Sequence, residues 1–285
     1  MSRIAALAEK PAPASRRLAG GAGWSFHEFI CHSGPGDRPF EERHGGVSIA
    51  AVVAGTFTYR ADTGRALLHP GALLLGNHGA CYQCGHEHGA GDRCISVQLS
   101  PDYFSEVAAS AAGSARFRFP AAMLPSDRSF LPQTVLLEAL GRERDPLSIE
   151  EGLIGFVAAA LRALSGAPPS PQRVSSQDAR RVSRAVRYIE AHAAEPLDLD
   201  RLASVAAASK FHFLRIFRRA VGLTPYQFLL TTRLRRAALK LLASADPVSA
   251  IAYEAGFGDL STFNAAFRQR FGAAPQAFRR SGVLQ

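Results

Sequence analysis

The feature that most constrains this chain is a degenerate repeat in its C-terminal part. The segment RLASVAAASKFHFLRIFRRAVGLTPYQFLL from Arg201 returns as AIAYEAGFGDLSTFNAAFRQRFGAAPQAFRR from Ala250. Phe213, Phe217, Arg218, Gly222, Pro225 and Phe228 recur fifty positions on as Phe263, Phe267, Arg268, Gly272, Pro275 and Phe278. Upstream, Leu202-Ala203 matches Ile251-Ala252 at an offset of forty-nine. The one-residue slip belongs in a turn, because turns absorb insertions and helices do not.

Each copy reads as two helices joined by a short turn. Leu199, Leu202, Ala203 and Ala206 form an apolar face at helical spacing. Ser209 can cap the next helix, whose core face is Phe213, Ile216, Phe217 and Ala220 and which stops at Gly222. In the second copy Val248, Ile251, Ala252 and Ala255 repeat the first face, GFGD makes the turn, and Asp259 is the cap. Small alanines let the two helices cross closely. Between the copies, PYQFLLTTRLRRAALKLLAS reads as one long helix with Pro225 at its first position. It turns Phe228, Leu229, Leu234, Ala238 and Leu241 inward. Before both copies, DARRVSRAVRYIEAHA is a further helix with Val182, Ala185, Val186 and Ile189 on one face.

Charge follows the same division. Residues 1–172 carry 15 Lys+Arg against 16 Asp+Glu, and residues 173–285 carry 18 against 8. The overall net charge of +9 is thus a neutral half joined to a half of net +10. A concentrated basic half points to a polyanionic partner for that half alone, against the plainer reading of a solvated, Arg-rich helical surface.

The stretch from about 176 to 282 resembles the AraC/XylS family of bacterial transcription regulators. The resemblance rests on LDLDRLA, RIFRRAVGLTPYQFL, RLRRAALKLL and, most specifically, IAYEAGFGDLSTFNAAFRQRFGAAPQAFRR. It implies two helix-turn-helix units on one long linker helix, entering successive major-groove faces of double-stranded promoter DNA. Carried over residue by residue, the first reading helix presents Phe211, Leu214 and Arg215 to bases. Arg215 matches the acceptor pair of guanine, and the two apolar residues match thymine methyls. Lys210, His212, Arg218 and Arg219 fall near phosphates, where they position without specifying. The second helix offers Leu260, Ser261, Thr262 and Asn264, with Arg268 and Arg270 nearby. It has Ala265 where some members carry arginine, which favours backbone contact there.

The N-terminal part has another texture. VSIAAVVAG, TFTYRA, RALLHPGALLLG and CISVQLS are short β-rich runs broken by Gly, DTG and HPG turns. LPQTVLLEALGRE and IEEGLIGFVAAALRAL read as two amphipathic helices. Through GTFTYR and LLHPGALLLG this half resembles the cupin-like sensor half of the same family, a small β-barrel holding an effector, with flanking helices that often form a dimer contact. The fold expected is α+β. Its parts are a disordered arm (1–19), a cupin-like sensor and dimerisation domain (20–165), a Pro-rich linker (166–175) and an all-α tandem helix-turn-helix domain (176–285). No run spans a bilayer. VSIAAVVAG is too short, LIGFVAAALRALSG is interrupted by Arg162, and the N-terminal IAALA is too brief for a signal peptide. The expected setting is the cytoplasm, where thiols stay reduced.

One motif stands apart. CYQCGHEHGAGDRC, residues 81–94, holds three of the four cysteines. Cys81 and Cys84 have the C-x2-C spacing that lets one turn bring two thiolates to a tetrahedral ion, with His86, His88 and Cys94 completing a set suited to zinc. A reversible thiol pair, or reduced cysteines beside solvated histidines, are the competing readings. The function expected is a sequence-specific regulator that senses a small molecule, or metal or redox state through this stretch. Its partners are a second copy of itself and, for an activator, RNA polymerase. No Ser-His-Asp set, P-loop or dinucleotide motif is evident. The alternative is a metal-dependent cupin-type enzyme fused to a DNA-binding domain, using the HEHGAGD residues His86, Glu87, His88 and Asp92.

Overall fold

In the computed structural model, residues 14–39, 41–86, 89–127, 130–165 and 174–281 are described. The N-terminal strands are β1 (Ala14–Gly21), β2 (Trp24–Cys31), β3 (Glu41–Arg43), β4 (Val47–Gly55) and β5 (Phe57–Ala61). They continue with β6 (Gly64–Leu68), β7 (Leu73–Gly76), β8 (Cys81–Gly85) and β9 (Asp92–Leu99). Helix α1 (Pro101–Ala112) and the short strand β10 (Met123–Leu124) follow, then α2 (Leu131–Leu140) and α3 (Pro146–Ser165).

All the strand pairs are antiparallel, in a six-stranded sheet of order β1-β2-β9-β4-β7-β10 and a four-stranded sheet of order β3-β8-β5-β6. Strand β4 is apolar along both faces because both are covered. Ile49, Ala51 and Val53 pack with α1–α3, whereas Ala50 and Val52 face Phe57, Tyr59 and Leu68 of the smaller sheet. At Gly55, with φ +81, the chain leaves the large sheet, and after Thr56 it enters the small one as β5. A Cβ on Gly55 would lie 2.4 Å from the carbonyl oxygen of Gly91, so the crossing needs glycine.

Two expectations change. The single cupin-like barrel is, among the described residues, two facing sheets whose hydrogen-bonded ladder does not close. The expected disordered arm ends earlier, since residues 14–19 belong to β1, paired along the whole edge of β2. ASRRLAGG has no apolar alternation to announce a strand. Its pairing comes from the backbone ladder and from Arg16, which donates to Glu28 at 2.7 Å. Residues 1–13 and most of the linker, 166–173, lie outside the described residues. Helix α1 is an element the sequence reading lacked, although Ser100 caps it, Pro101 opens it and Gly113 ends it.

The C-terminal half comprises α4 (Ser176–Ala191), α5 (Leu199–Val205), α6 (Lys210–Val221), α7 (Pro225–Ala243), α8 (Val248–Glu254), α9 (Leu260–Phe271) and α10 (Pro275–Ser281). Val182, Ala185, Val186 and Ile189 of α4 are buried with the cores of α5 and α6 and the first turns of α7. The last turns of α7 pack with α8 and α9, and Leu131 and Val135 of α2 join that cluster. The repeat is therefore two helix pairs seated on opposite ends of α7.

Candidate functional site

The first reading helix is built from local signals. The Ser209 hydroxyl accepts the backbone N–H of His212 at 3.4 Å to start α6, and Gly222 ends it with φ +87. In α9 the Asp259 carboxylate accepts the N–H of Thr262 at 2.7 Å, and Gly272 ends the helix with φ +72. A capping box formed by Thr224 and Gln227 starts α7. Phe213, Phe217, Phe263 and Phe267 are all fully buried, so each pair turns the same face inward. The one-residue slip lies in the turns. Ala207 occupies left-handed space at φ +49 in the first copy, and Gly256 takes that role at φ +95 in the second.

Of the side chains expected to meet DNA, Phe211 is 88% exposed, more than any other large hydrophobic among the described residues. Arg215, Arg218 and Arg219 are exposed beside it, with Leu214 half-buried. Lys210 pairs with Asp200 at 2.7 Å. The imidazole of His212 lies 3.1 Å from Asp178 and 3.0 Å from the Arg215 guanidinium, which ties it to α4. On α9, Ser261, Thr262 and Arg268 are exposed, and Leu260 and Asn264 half-buried. Thr262 also donates its hydroxyl to Asp259 at 2.7 Å. Arg270 is half-buried on the same helix.

The exposed side of α6 does not look onto open solvent alone. It lines a cleft of about 1240 Å³ whose opposite wall is the N-terminal half. Phe211, Leu214, Arg215 and Arg218 stand on one side, with Arg65, Leu67 and Met123 on the other.

Two parts of the cysteine-rich stretch are strands rather than loop, Cys81–Gly85 in β8 and the residues from Asp92 on in β9. Cys81 and Cys84 both lie on β8, where residues three apart point to opposite faces. The C-x2-C pairing expected on one turn is thereby corrected, and with it the Cys81–Cys84 thiol pair. Cys84 stands opposite Tyr59 and Cys81 opposite Arg43. Cys94 is buried on β9, packed between the sheets. His88 and Glu87 lie outside the described residues.

His86 is drawn into a different group. Its Nε2 is 2.5 Å from Asp92 Oδ2, and ligand atoms of Cys31, His86 and Asp92 all lie within 4.8 Å of one another. The antiparallel register of β2 and β9 sets Cys31 opposite Asp92, and the end of β8 delivers His86. Burial works against a charged His86, but its hydrogen bonds to Asp92 and Cys31 outweigh it and raise its pKa to about 9. For Cys31, burial pushes the thiol up, and hydrogen bonds from His86 and Ser33 more than reverse this. The thiols of Cys84 and Cys94 are pushed well up by burial and then by the Asp92 charge. Spacing along the chain does not single out Cys31, and it brings in Asp92 only through the enzyme alternative. No local signal joins them, because the strand pairing does.

This cluster adjoins the seam between the halves. Arg187 of α4 donates to the carbonyls of Ala90 at 2.9 Å, Gly91 at 3.1 Å and Thr56 at 3.3 Å, and to the Thr56 hydroxyl at 3.2 Å. Thr56 also meets Ser183 hydroxyl to hydroxyl. Gly89 leaves the space the guanidinium fills, since a Cβ there would sit 2.1 Å from Arg187 Nε. Farther along, Arg235 of α7 donates to the Val53 carbonyl at 2.6 Å.

Two capped helix pairs on one long helix, in a half of net charge +10, define a helix-turn-helix domain. Residues 202–281 match the family model described as a helix-turn-helix domain. Over that segment the chain is similar to the AraC-type domains of transcription regulators. The Right origin-binding protein of Escherichia coli K12 is 34% identical over 94 residues, 33% of this chain and 32% of that protein. The HTH-type transcriptional activator RhaS of Klebsiella pneumoniae is 29% identical over 151 residues, 52% of this chain and 53% of that protein. A solved DNA-binding domain of AdpA, in complex with a target DNA, is 31% identical, covers 35% of this chain and 91% of that chain, and has a TM-score of 0.35. The chain spans about a third of the length of the first curated relatives it matches. Among the described residues no helix is long and apolar enough to cross a membrane.

Proposed function

We propose that this chain is a sequence-specific, double-stranded-DNA-binding transcription regulator of the cytoplasm, with an effector-sensing N-terminal half. The observation that carries the reading is the duplicated helix pair on α7. The two pairs share one buried face and present Arg215 with Arg218, and Asn264 with Arg268, on the other. Arg215 reads guanine, Phe211 and Leu214 contact thymine methyls, and Arg218, Arg219 and Arg268 hold phosphates. Because the reading side of α6 lines a cleft against the N-terminal half, engaging a major groove about 12 Å wide requires that cleft to open. An effector that favours one arrangement then controls DNA affinity. A second copy of the chain, and RNA polymerase for an activator, are the partners this reading implies.

The test is footprinting of the full chain on promoter fragments over a range of salt. A protected site with log K falling by about 0.9 per phosphate contacted supports the reading, and salt-independent binding or none refutes it. The second reading, a metal-dependent cupin-type enzyme, draws on the convergence of His86 and Asp92. Oxygen consumption by iron-loaded protein checks that one.

A further inference from the structure

The Cys31, His86 and Asp92 cluster sits where three strand ends from two sheets meet. Cys31 ends β2 and Asp92 begins β9 in the large sheet, while His86 follows β8 of the small one. The three residues offer a sulfur, an imidazole nitrogen and a carboxylate oxygen, all within 4.8 Å of one another. Such a mixed set suits a borderline divalent ion, zinc above all, bound tetrahedrally by three protein ligands with a fourth position left open. Bond lengths of about 2.0–2.3 Å place ligand atoms about 3–4 Å apart around zinc. The His86–Asp92 pair at 2.5 Å has only to part slightly to admit the ion.

The surroundings are those of a supported site. The His86 ring is stacked against Phe57, with centroids 5.8 Å apart, which fixes its plane. Cys94 donates to Asp92 Oδ1 at 3.4 Å, leaving Oδ2 for the cluster. Outer contacts of this kind orient metal ligands. The backbone is held too, for Gly91 N–H donates to the Ser33 carbonyl at 2.8 Å, two residues past Cys31.

We propose that Cys31, His86 and Asp92 form a zinc site that clamps the two sheets together and, through residues 89–92, controls the grip of Arg187 on the N-terminal half. The site differs from the Cys81, Cys84, His86, His88 and Cys94 set expected from spacing, and shares only His86 with it. Its connection to α4 is direct, since the carbonyls of Ala90 and Gly91, two and one residues before the ligand Asp92, are among those Arg187 holds. Zinc fixes residues 89–92, tightens the seam and keeps the cleft over α6 closed. The site stands independently of the DNA-binding reading, and its effect on DNA rests on that reading.

The experiment uses the full chain, stripped of metal and titrated with Co²⁺ as a spectroscopic probe and then with Zn²⁺. The expected result is one equivalent bound, a thiolate-to-cobalt charge-transfer band, and displacement of cobalt by zinc. Cys31→Ser should abolish the band. Asp92→Asn and His86→Gln should weaken zinc by more than about 100-fold, beyond the usual effect of an outer-shell change. Cys81→Ser, on the opposite face of β8, should bind as the wild type does. Near-UV circular dichroism of the metal-free variants shows whether each is folded, and Asp92→Asn keeps the shape of the side chain it replaces. No band in the wild type, or a band surviving in folded Cys31→Ser, overturns the site. Zinc should also lower affinity for a promoter fragment, and Arg187→Ala should retain zinc while losing that effect. Zinc bound without any change in DNA affinity overturns the coupling. Absence of DNA binding by metal-free protein strikes instead at the proposed function and leaves the site standing.

Discussion

The two copies of the repeat bury the same residues and expose different ones. Phe213 and Phe217 in the first, and Phe263 and Phe267 in the second, are equally inaccessible. The outward faces diverge, with Phe211, Leu214 and Arg215 on α6 and Ser261, Asn264 and Ala265 on α9. Their neighbours diverge as well. The first pair is packed with α4, which Arg187 ties to the N-terminal sheets, while the second is packed with α2. A buried face must satisfy packing and tolerates little change. An outward face is free to take on a base sequence, a phosphate or a neighbouring domain.

If the cores are equivalent, Phe213→Ala and Phe263→Ala should each cost about 3–5 kcal/mol. Denaturant unfolding of the full chain measures both losses, and a large inequality would break the equivalence of the two pairs. If the faces are not equivalent, Arg215→Ala should cost about 1–3 kcal/mol at a specific site and relax preference at one base pair. Arg218→Ala should weaken every sequence alike. Ala265→Arg on α9 should instead add affinity and steepen the salt slope by about one unit. Quantitative footprinting separates the three, and an Arg215→Ala effect spread evenly over all sequences would place that residue on the backbone.

A third test concerns α4, the tie peculiar to the first copy. Burial raises the pKa of Glu190 to about 7, although Arg235, the Gly55 N–H, Arg236 and Arg187 pull it down. Its folded pKa therefore lies above its unfolded value near 4.5. The stability it contributes is fully present below about pH 4.5 and is lost as pH rises through 7. Glu190→Gln should raise Tm by a few degrees at pH 8 and by less at pH 5, as followed by thermal unfolding. An equal rise at both values would mean that charge is not the cause. The smallest effect is in the turn. Ala207 carries a Cβ in left-handed space at φ +49, which costs about 1–2 kcal/mol. Ala207→Gly should recover about 0.5 kcal/mol after glycine's greater loss of backbone entropy, bringing the first turn into line with Gly256.

What the sequence determined by itself is whatever depends on near neighbours along the chain. Ser209 and Asp259 cap the helices they were expected to cap, Pro225 opens α7, and Gly222 and Gly272 end α6 and α9, because a cap and its N–H partner lie within three residues. The recurring phenylalanines fall on one face because helical periodicity requires it. The sheet half was less legible. VSIAAVVAG announced a buried strand, but nothing in ASRRLAGG announced β1, whose partner is β2 rather than its own side chains. The tertiary structure decided that Cys81 and Cys84 part company and that His86 leaves them for Cys31 and Asp92. Strand alternation sends residues three apart to opposite faces, and antiparallel register joins positions sixty-one residues apart. It also decided that the reading face of α6 looks into a cleft, since which surfaces of two halves meet depends on packing between them and leaves no mark within either segment.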